Sequence, residues 1–330
     1  MAKTIFRKKK KRKATVFVVI LICLLVAGLV GGILFKSLWN PTISEDTDNP
    51  QTIESTTTVA RQTLPKAFID RNTFSGRVVL YDVTAGEMLY SKDAAEKCAP
   101  ASLTKLMTAL VAIKHTPEDY VFTVGNELSL VLPGSSVANL WSGNQLNLTQ
   151  MLQGLLMKSG NDAAYVLAVH VGRLIEGDEN LSNTAAVKAF CKEMNAMAKE
   201  LGCKNTNFVN PDGYHADKHL TTAEDMLKIC IASLEDPIIS AVVATDKVDT
   251  TLVSGRQISW KNSNLLLDKN SRYYYKWATG LKTGTTDEAG YCLAASATKD
   301  GRTTIAVVLG AGEENGRWDD ARGLLELSFQ

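Results

Sequence analysis

From Ala14 to Phe35 the chain runs through about 22 uncharged, mostly apolar residues, enough to cross the roughly 30 Å hydrocarbon core of a bilayer as one helix. Lys3, Arg7, Lys8, Lys9, Lys10, Lys11, Arg12 and Lys13 crowd the side before it, and almost no cation stands just after it. That asymmetry places the N-terminus inside the cell. The run is too long for an ordinary signal-peptide core and ends in no convincing small-residue cleavage site. The expected organisation is a cytoplasmic basic segment (1–13), a transmembrane signal anchor (14–35), a flexible stalk (36–66) and one globular domain (67–330). The expected localisation is the cell membrane, single-pass, with that domain extracytoplasmic.

The stalk is rich in Ser, Thr, Asn, Asp, Glu and Pro, and buries too little apolar surface to offset the entropy of ordering it. The formal net charge of +1 hides an uneven distribution. With the basic run set aside the remainder is acidic, which argues against nucleic acid as a partner. Of six cysteines, Cys23 falls in the apolar run. Cys98, Cys191, Cys203, Cys230 and Cys292 cannot all pair within one chain, and their spacing fits neither a zinc pattern nor a disulfide framework. Small buried hydrophobes are the expected role for most of them.

Within the domain, Arg77–Tyr81 and Glu87–Tyr90 read as two strands of a hairpin around Thr84-Ala85-Gly86. Leu148 to His170 reads as helix broken at Ser159-Gly160-Asn161. Thr184–Leu201, closed by Gly202, and Thr221–Leu234, with Thr221 or Thr222 at its cap, read as amphipathic helices. Tyr291–Ala297 and Thr303–Leu309 flank Lys299-Asp300-Gly301, a hairpin turn signal, and Arg317–Phe329 reads as a final helix. Strands at both ends enclosing helices predict an α/β fold of the α+β type: an antiparallel sheet flanked by helices, with a helical lobe.

The chemistry concentrates at Pro100-Ala101-Ser102-Leu103-Thr104-Lys105. Leu103, Leu106, Met107 and Leu110 recur at helical spacing, so Ser102 stands near a helix start with Lys105 one turn along the same side. A serine hydroxyl is a poor nucleophile until a base takes its proton, and a lysine is that base only when its pKa is lowered. The helix N-terminus offers a backbone N–H to a developing oxyanion. Taken alone, Ser-x-x-Lys is weak, since a capping serine with a solvated lysine has the same spelling. Ser159-Gly160-Asn161 and Lys282-Thr283-Gly284, in that order, strengthen it.

With those three motifs the chain resembles the D-alanyl-D-alanine carboxypeptidase family, the low-molecular-mass penicillin-binding proteins among the serine penicillin-recognising enzymes. The likeness extends over 67–330 and includes Ser159-Gly160-Asn161-Asp162-Ala163, Asn210-Pro211-Asp212-Gly213 and Lys282 through Tyr291. It implies a β-lactamase/transpeptidase-like fold, with Ser102 as acylated nucleophile and Lys105 as base. Ser159 would relay protons to the leaving group, Asn161 would hold the substrate amide, and Lys282 would sit on an edge strand, its charge keeping Lys105 neutral. Thr283 and Thr285, around Gly284, would meet the substrate carboxylate, and the N–H groups of Ser102 and Thr285 would form the oxyanion hole. The implied partners are a peptidoglycan stem peptide ending in D-Ala-D-Ala and β-lactams as covalent inhibitors; no cofactor or metal is implied.

Two features depart from many relatives: a histidine is common where Thr285 stands, and a second β-rich domain often follows where this resemblance ends at Gln330. The competing readings are a serine β-lactamase and a non-catalytic penicillin-binding wall module. A class A β-lactamase carries a Glu-x-x-Leu-Asn stretch; the nearest match, Glu179-Asn180-Leu181-Ser182-Asn183, has its leucine one place early. His215, Asp217 and His219 have a spacing that on a helix could bind zinc, but the Pro211-Asp212-Gly213 turn predicts a loop with structural histidines. Trp141 and Trp260 are expected in the core. Tyr273-Tyr274-Tyr275 with Trp277 is expected at a cleft edge.

Overall fold

The computed structural model describes residues 73–330. The basic segment, the transmembrane helix and the stalk expected from the sequence lie outside the described residues. Among the described residues no helix is long and apolar enough to cross a membrane.

Five antiparallel strands form the central sheet in the order β2-β1-β9-β8-β7: β1 (Ser75–Asp82), β2 (Glu87–Lys92), β7 (Ala278–Thr286), β8 (Gly290–Lys299) and β9 (Arg302–Ala311). Both expected hairpins are present. The β8–β9 turn puts Asp300 at φ 51° and Gly301 at φ 78°, the two positive dihedrals of a two-residue turn matched to strand twist. Both faces of the sheet are covered, so its inner strands read as unbroken buried runs: Val78-Val79-Leu80 and Ile305 through Leu309 are fully buried. Val79, Ala294, Ile305 and Val307 face the helical lobe, while Val78, Leu80, Leu293, Ala295 and Val308 face the C-terminal helix.

The lobe contains α1 (Thr104–His115), α2 (Leu148–Leu156), α3 (Asn161–Glu176), α4 (Asn183–Glu200), α5 (Ala223–Glu235) and α6 (Pro237–Ala244); α7 (Glu314–Ser328) covers the other sheet face. Helix α1 packs against α2, α3, α4 and α5 and is buried nearly all round, which makes it the axis of the lobe. Fully buried side chains such as Leu106 and Met107 each stabilise by roughly 1.5–3 kcal/mol, and so hold the helix start in register. Asn147 and Gln150 form a capping box on α2, and the Thr222 side chain caps α5. Gly202, at φ 76°, follows the end of α4.

Helix α6 and the hairpin of β5 (Lys247–Thr251) and β6 (Gln257–Lys261) were not expected, nor was the two-stranded pair of β3 (Phe122–Thr123) and β4 (Gln145–Leu146). Two aromatic expectations are corrected. Trp260 is buried, donating from Nε1 to the Ala138 carbonyl at 2.9 Å, but Trp141 is 61% exposed with the Arg256 guanidinium 3.6 Å over its ring. Tyr273 is buried rather than at a cleft edge: it stacks on Trp318 at 5.8 Å and donates to Asn315 Oδ1, while Tyr275 and Trp277 pack on the same core beneath α7. Cys98, Cys191, Cys203, Cys230 and Cys292 are free thiols, all but Cys98 buried, and burial pushes Cys98 up to about 11.

Candidate active site

A single 3₁₀ turn, Ala101–Leu103, leads into α1 and carries Ser102. Ala101 has φ 47°, a left-handed conformation that strains a non-glycine residue, and Ser159 has φ 58° in the break between α2 and α3. Ser102 and Ser159 line one cleft of about 360 Å³ with Thr283, Gly284, Thr285 and Arg317. Lys105, Asn161 and Lys282 are buried beside it.

Close backbone approach explains the glycines. A Cβ on Gly284 would stand 2.9 Å from Leu103 Cδ1 and 3.0 Å from both Ala101 Cβ and Ser102 N. Only a hydrogen there lets β7 lie against the Ser102 turn. A Cβ on Gly160 would come within 3 Å of Ala138 N and Cβ and of Asp162 Oδ1. The Asp162 carboxylate accepts from Ala138 N and Leu140 N, and Asn161 N donates to the Ser136 carbonyl at 2.8 Å. Those bonds seat the 136–140 loop on the start of α3.

Lys105 is the hub. Its Nζ lies 2.9 Å from Ser102 Oγ and 2.7 Å from Asn161 Oδ1, and it also donates to the Asp212 carbonyl. Burial pushes its pKa down to about 8, and the fields of Asp212 and Asp162 partly oppose that fall. An ammonium donates to Ser102 Oγ; a neutral amine at the same place accepts the Oγ–H instead. Lys282 is on β7, the edge strand, and donates to its own strand at the Thr283 carbonyl, 2.9 Å away. It is held well below the usual lysine range by burial first, then by the charges of Lys105 and Arg317. Burial is thus the main cause at both lysines, and the charge of Lys105 also bears on Lys282.

The close approach at Gly284 also brings Thr285, the next residue of β7, near the Ser102 turn. Thr283 Oγ1 is 2.7 Å from Ser263 Oγ, so a hydroxyl pair lines the β7 wall. Thr285 Oγ1 accepts from Arg317 Nη1 at 2.8 Å.

Two groups escape a reading of the sequence. Arg317 is nearly buried in the cleft wall; Nη2 meets Glu314 at 3.0 Å, and Nε has no hydrogen-bond partner. A cation in the first turn of a helix opposes the helix dipole, and that misfit is the one sequence-level signal of its role. Asp212 is fully buried, and its Oδ2 accepts from Asn161 Nδ2 at 2.7 Å. His219 is structural: Nδ1 accepts from Val209 N at 3.0 Å, so Nε2 donates to Thr104 Oγ1 at 2.8 Å, and that hydroxyl donates to the Ala101 carbonyl.

A serine bonded to a buried lysine, sharing a cleft with a second serine and with a Lys-Thr-Gly edge strand, defines the class of serine penicillin-recognising folds. Residues 65–313 match the family described as D-alanyl-D-alanine carboxypeptidase, and the chain belongs to that family. It is 34% identical over 257 residues to the D-alanyl-D-alanine carboxypeptidase DacF of Bacillus subtilis (strain 168), a match covering 76% of this chain but only 61% of that relative's length. It is likewise 34% identical over 253 residues to the D-alanyl-D-alanine carboxypeptidase of Streptomyces sp. (strain K15), covering 74% of this chain and 83% of the relative. The crystal structure of the Streptomyces K15 DD-transpeptidase superposes with a TM-score of 0.71 at 32% identity, over 78% of this chain and 97% of that one.

Proposed function

We propose that the domain is a serine DD-carboxypeptidase that removes the terminal D-Ala from peptidoglycan stem pentapeptides and takes β-lactams covalently at the same serine. The observation that carries this reading is the 2.9 Å contact of Ser102 Oγ with Lys105 Nζ, a buried amine whose pKa falls to about 8. Neutral Lys105 takes the Ser102 proton as Oγ bonds to the carbonyl carbon of the penultimate D-Ala. The N–H groups of Ser102 and Thr285 stabilise the oxyanion. The C–N bond then breaks, and the departing D-Ala amine receives the proton by way of Ser159. Water next attacks the ester, yielding its proton to Lys105; Ser102 regains its own, and the shortened peptide leaves as a carboxylate. One water enters and one D-Ala leaves per cycle.

Asn161 holds the substrate amide, Thr283 and Thr285 meet the terminal carboxylate, and Lys282 contributes to the cleft's field. We add Arg317 as the cation of that carboxylate site, since it is bonded to Thr285 and lines the cleft. The β-lactamase reading is disfavoured by the position of Glu179. It lies beyond the far end of α3 from Asn161, about 24 Å of helix away, and is exposed.

The test is release of D-Ala from a D-Ala-D-Ala peptide, with labelled penicillin located by mass spectrometry. Label on Ser102 and none on Ser102→Ala is expected; label elsewhere sinks the reading. We further propose that residues 14–35 hold the chain in the cell membrane, single-pass, with the domain outside, where such a substrate stands. A chain lacking residues 1–36 should then be soluble and still acylated, whereas the full chain should sediment with membranes.

A further inference from the structure

We propose that Asp212 is a positioning residue: its carboxylate sets the orientation of the Asn161 amide and places a negative charge beside the lysine, Lys105, that this amide holds. The inference rests on the Ser102–Lys105 acylation proposed above and concerns how that pair is kept in working order.

The loop carrying Asp212 is clamped to the start of α1. Thr108 Oγ1 donates to the Pro211 carbonyl at 2.6 Å, Gly213 N donates to Asn210 Oδ1 at 2.9 Å, and Asn210 Nδ2 donates to the Tyr214 carbonyl at 2.8 Å. Gly213 has φ 83°, and a Cβ there would collide with the Ala101 carbonyl, so the chain must pass the nucleophile's turn as glycine. Asp212 is thereby fixed with its carbonyl on Lys105 and its carboxylate on Asn161.

A carboxylate only accepts hydrogen bonds. With Asp212 Oδ2 at 2.7 Å, the Asn161 amide must turn its NH₂ toward it, which leaves Oδ1 for Lys105 at 2.7 Å. One Nδ2–H remains to donate to substrate. Reversal of the amide would place an oxygen against the carboxylate and an NH₂ against an ammonium, two repulsions at once.

Around Lys105 the neutral partners are Ser102 and Asn161. Asp212 and, from α3, Asp162 favour its ammonium form. Lys282 from β7 and His219 from the neighbouring loop are in turn depressed by the Lys105 charge. Asp162 spends its carboxylate on Ala138 N, Leu140 N and Ala163 N, so it serves the 136–140 loop. Asp212, by contrast, is bonded directly to the residue that shares Lys105. A stronger base takes the serine proton more readily, provided enough of it is neutral at working pH. Asp212 sets that balance.

The experiment uses the full chain in detergent and follows penicillin acylation against pH in wild type and Asp212→Asn. Neutralising the carboxylate should move the acid limb down by about one pH unit, so that at pH 6 the variant keeps about tenfold more of its own plateau rate than wild type. A rate lowered equally at every pH, with the limb unmoved, overturns the proposal while leaving the acylation reading intact. A wild type that is not acylated at Ser102 overturns that reading instead. A second arm needs neither turnover nor a folded variant: in wild type labelled with ¹⁵N-asparagine, the Asn161 side chain should show one slowly exchanging amide proton. Two fast-exchanging protons there overturn the proposal outright.

Discussion

Gly284 passes so close to the nucleophile that a Cβ on it would stand 3.0 Å from the Ser102 backbone nitrogen. The strand carrying Thr283 and Thr285 and the turn carrying Ser102 thus meet through a hydrogen atom. Gly284→Ala should push β7 away by a few tenths of an ångström or more and spoil the shared oxyanion geometry. Penicillin acylation should fall by about 10²-fold or more, the scale set by loss of one oxyanion donor, while the protein still melts cooperatively. Acylation within threefold of wild type would show that the two backbones need not touch.

Acylation should fall about tenfold per unit as pH drops below about 8, because only neutral Lys105 accepts the Ser102 proton. Lys105→Arg should abolish acylation, since a guanidinium stays protonated. Stopped-flow acylation from pH 5 to pH 9 checks both. A flat profile in wild type would remove Lys105 as the base.

Arg317→Leu should raise KM for a D-Ala-D-Ala peptide and lower kcat/KM by about 10- to 100-fold, the worth of one charge-assisted hydrogen bond. A peptide capped as its C-terminal amide should be a poor substrate for wild type and lose little more in the variant. Equal losses on both peptides would move Arg317 out of carboxylate recognition.

His219 is neutral in the fold, pushed down to about 4 chiefly by burial and then by the charges of His215 and Lys105. Unfolded, it binds a proton near pH 6.5, so between those values the unfolded state holds more protons. Stability is therefore full above about 6.5 and falls by roughly 3 kcal/mol as pH drops toward 4. Urea midpoints at pH 7 and pH 4.5 should differ less in His219→Gln than in wild type. An unchanged difference would assign the acid sensitivity to other groups.

Glu179→Gln should leave the fate of a penicilloyl adduct unchanged: one stoichiometric burst with a chromogenic β-lactam, then slow release. Rapid turnover that collapses in the variant would identify a β-lactamase.

Much of this architecture is legible in the sequence, for reasons that differ between elements. The β8–β9 hairpin is announced by Asp300-Gly301, and α4 by an amphipathic stripe running into Gly202. Helix α6 was invisible because eight residues, Pro237–Ala244, are too few for a 3.6-residue period to stand out, although Asp236-Pro237 is a strong start signal. The β5–β6 hairpin pairs mostly polar strands whose alternation is weak. In the site, the serine and lysine motifs can be read because each is local. The links of Asp212 to Asn161, 51 residues back, and of Arg317 to Thr285, 32 back, belong to tertiary structure. No local pattern encodes them.

Strand β7 ends the sheet, and no further strand lies beyond it among the described residues. Sheet edges are where unrelated chains attach and fibres begin, and most proteins blunt them with charge or bury them. Here the edge borders the cleft through Thr283, Gly284 and Thr285, with Lys282 turned onto its own backbone and Arg317 bonded to Thr285. Under the proposed function, the edge that would elsewhere be an aggregation hazard is where an extended peptide would lie in the cleft.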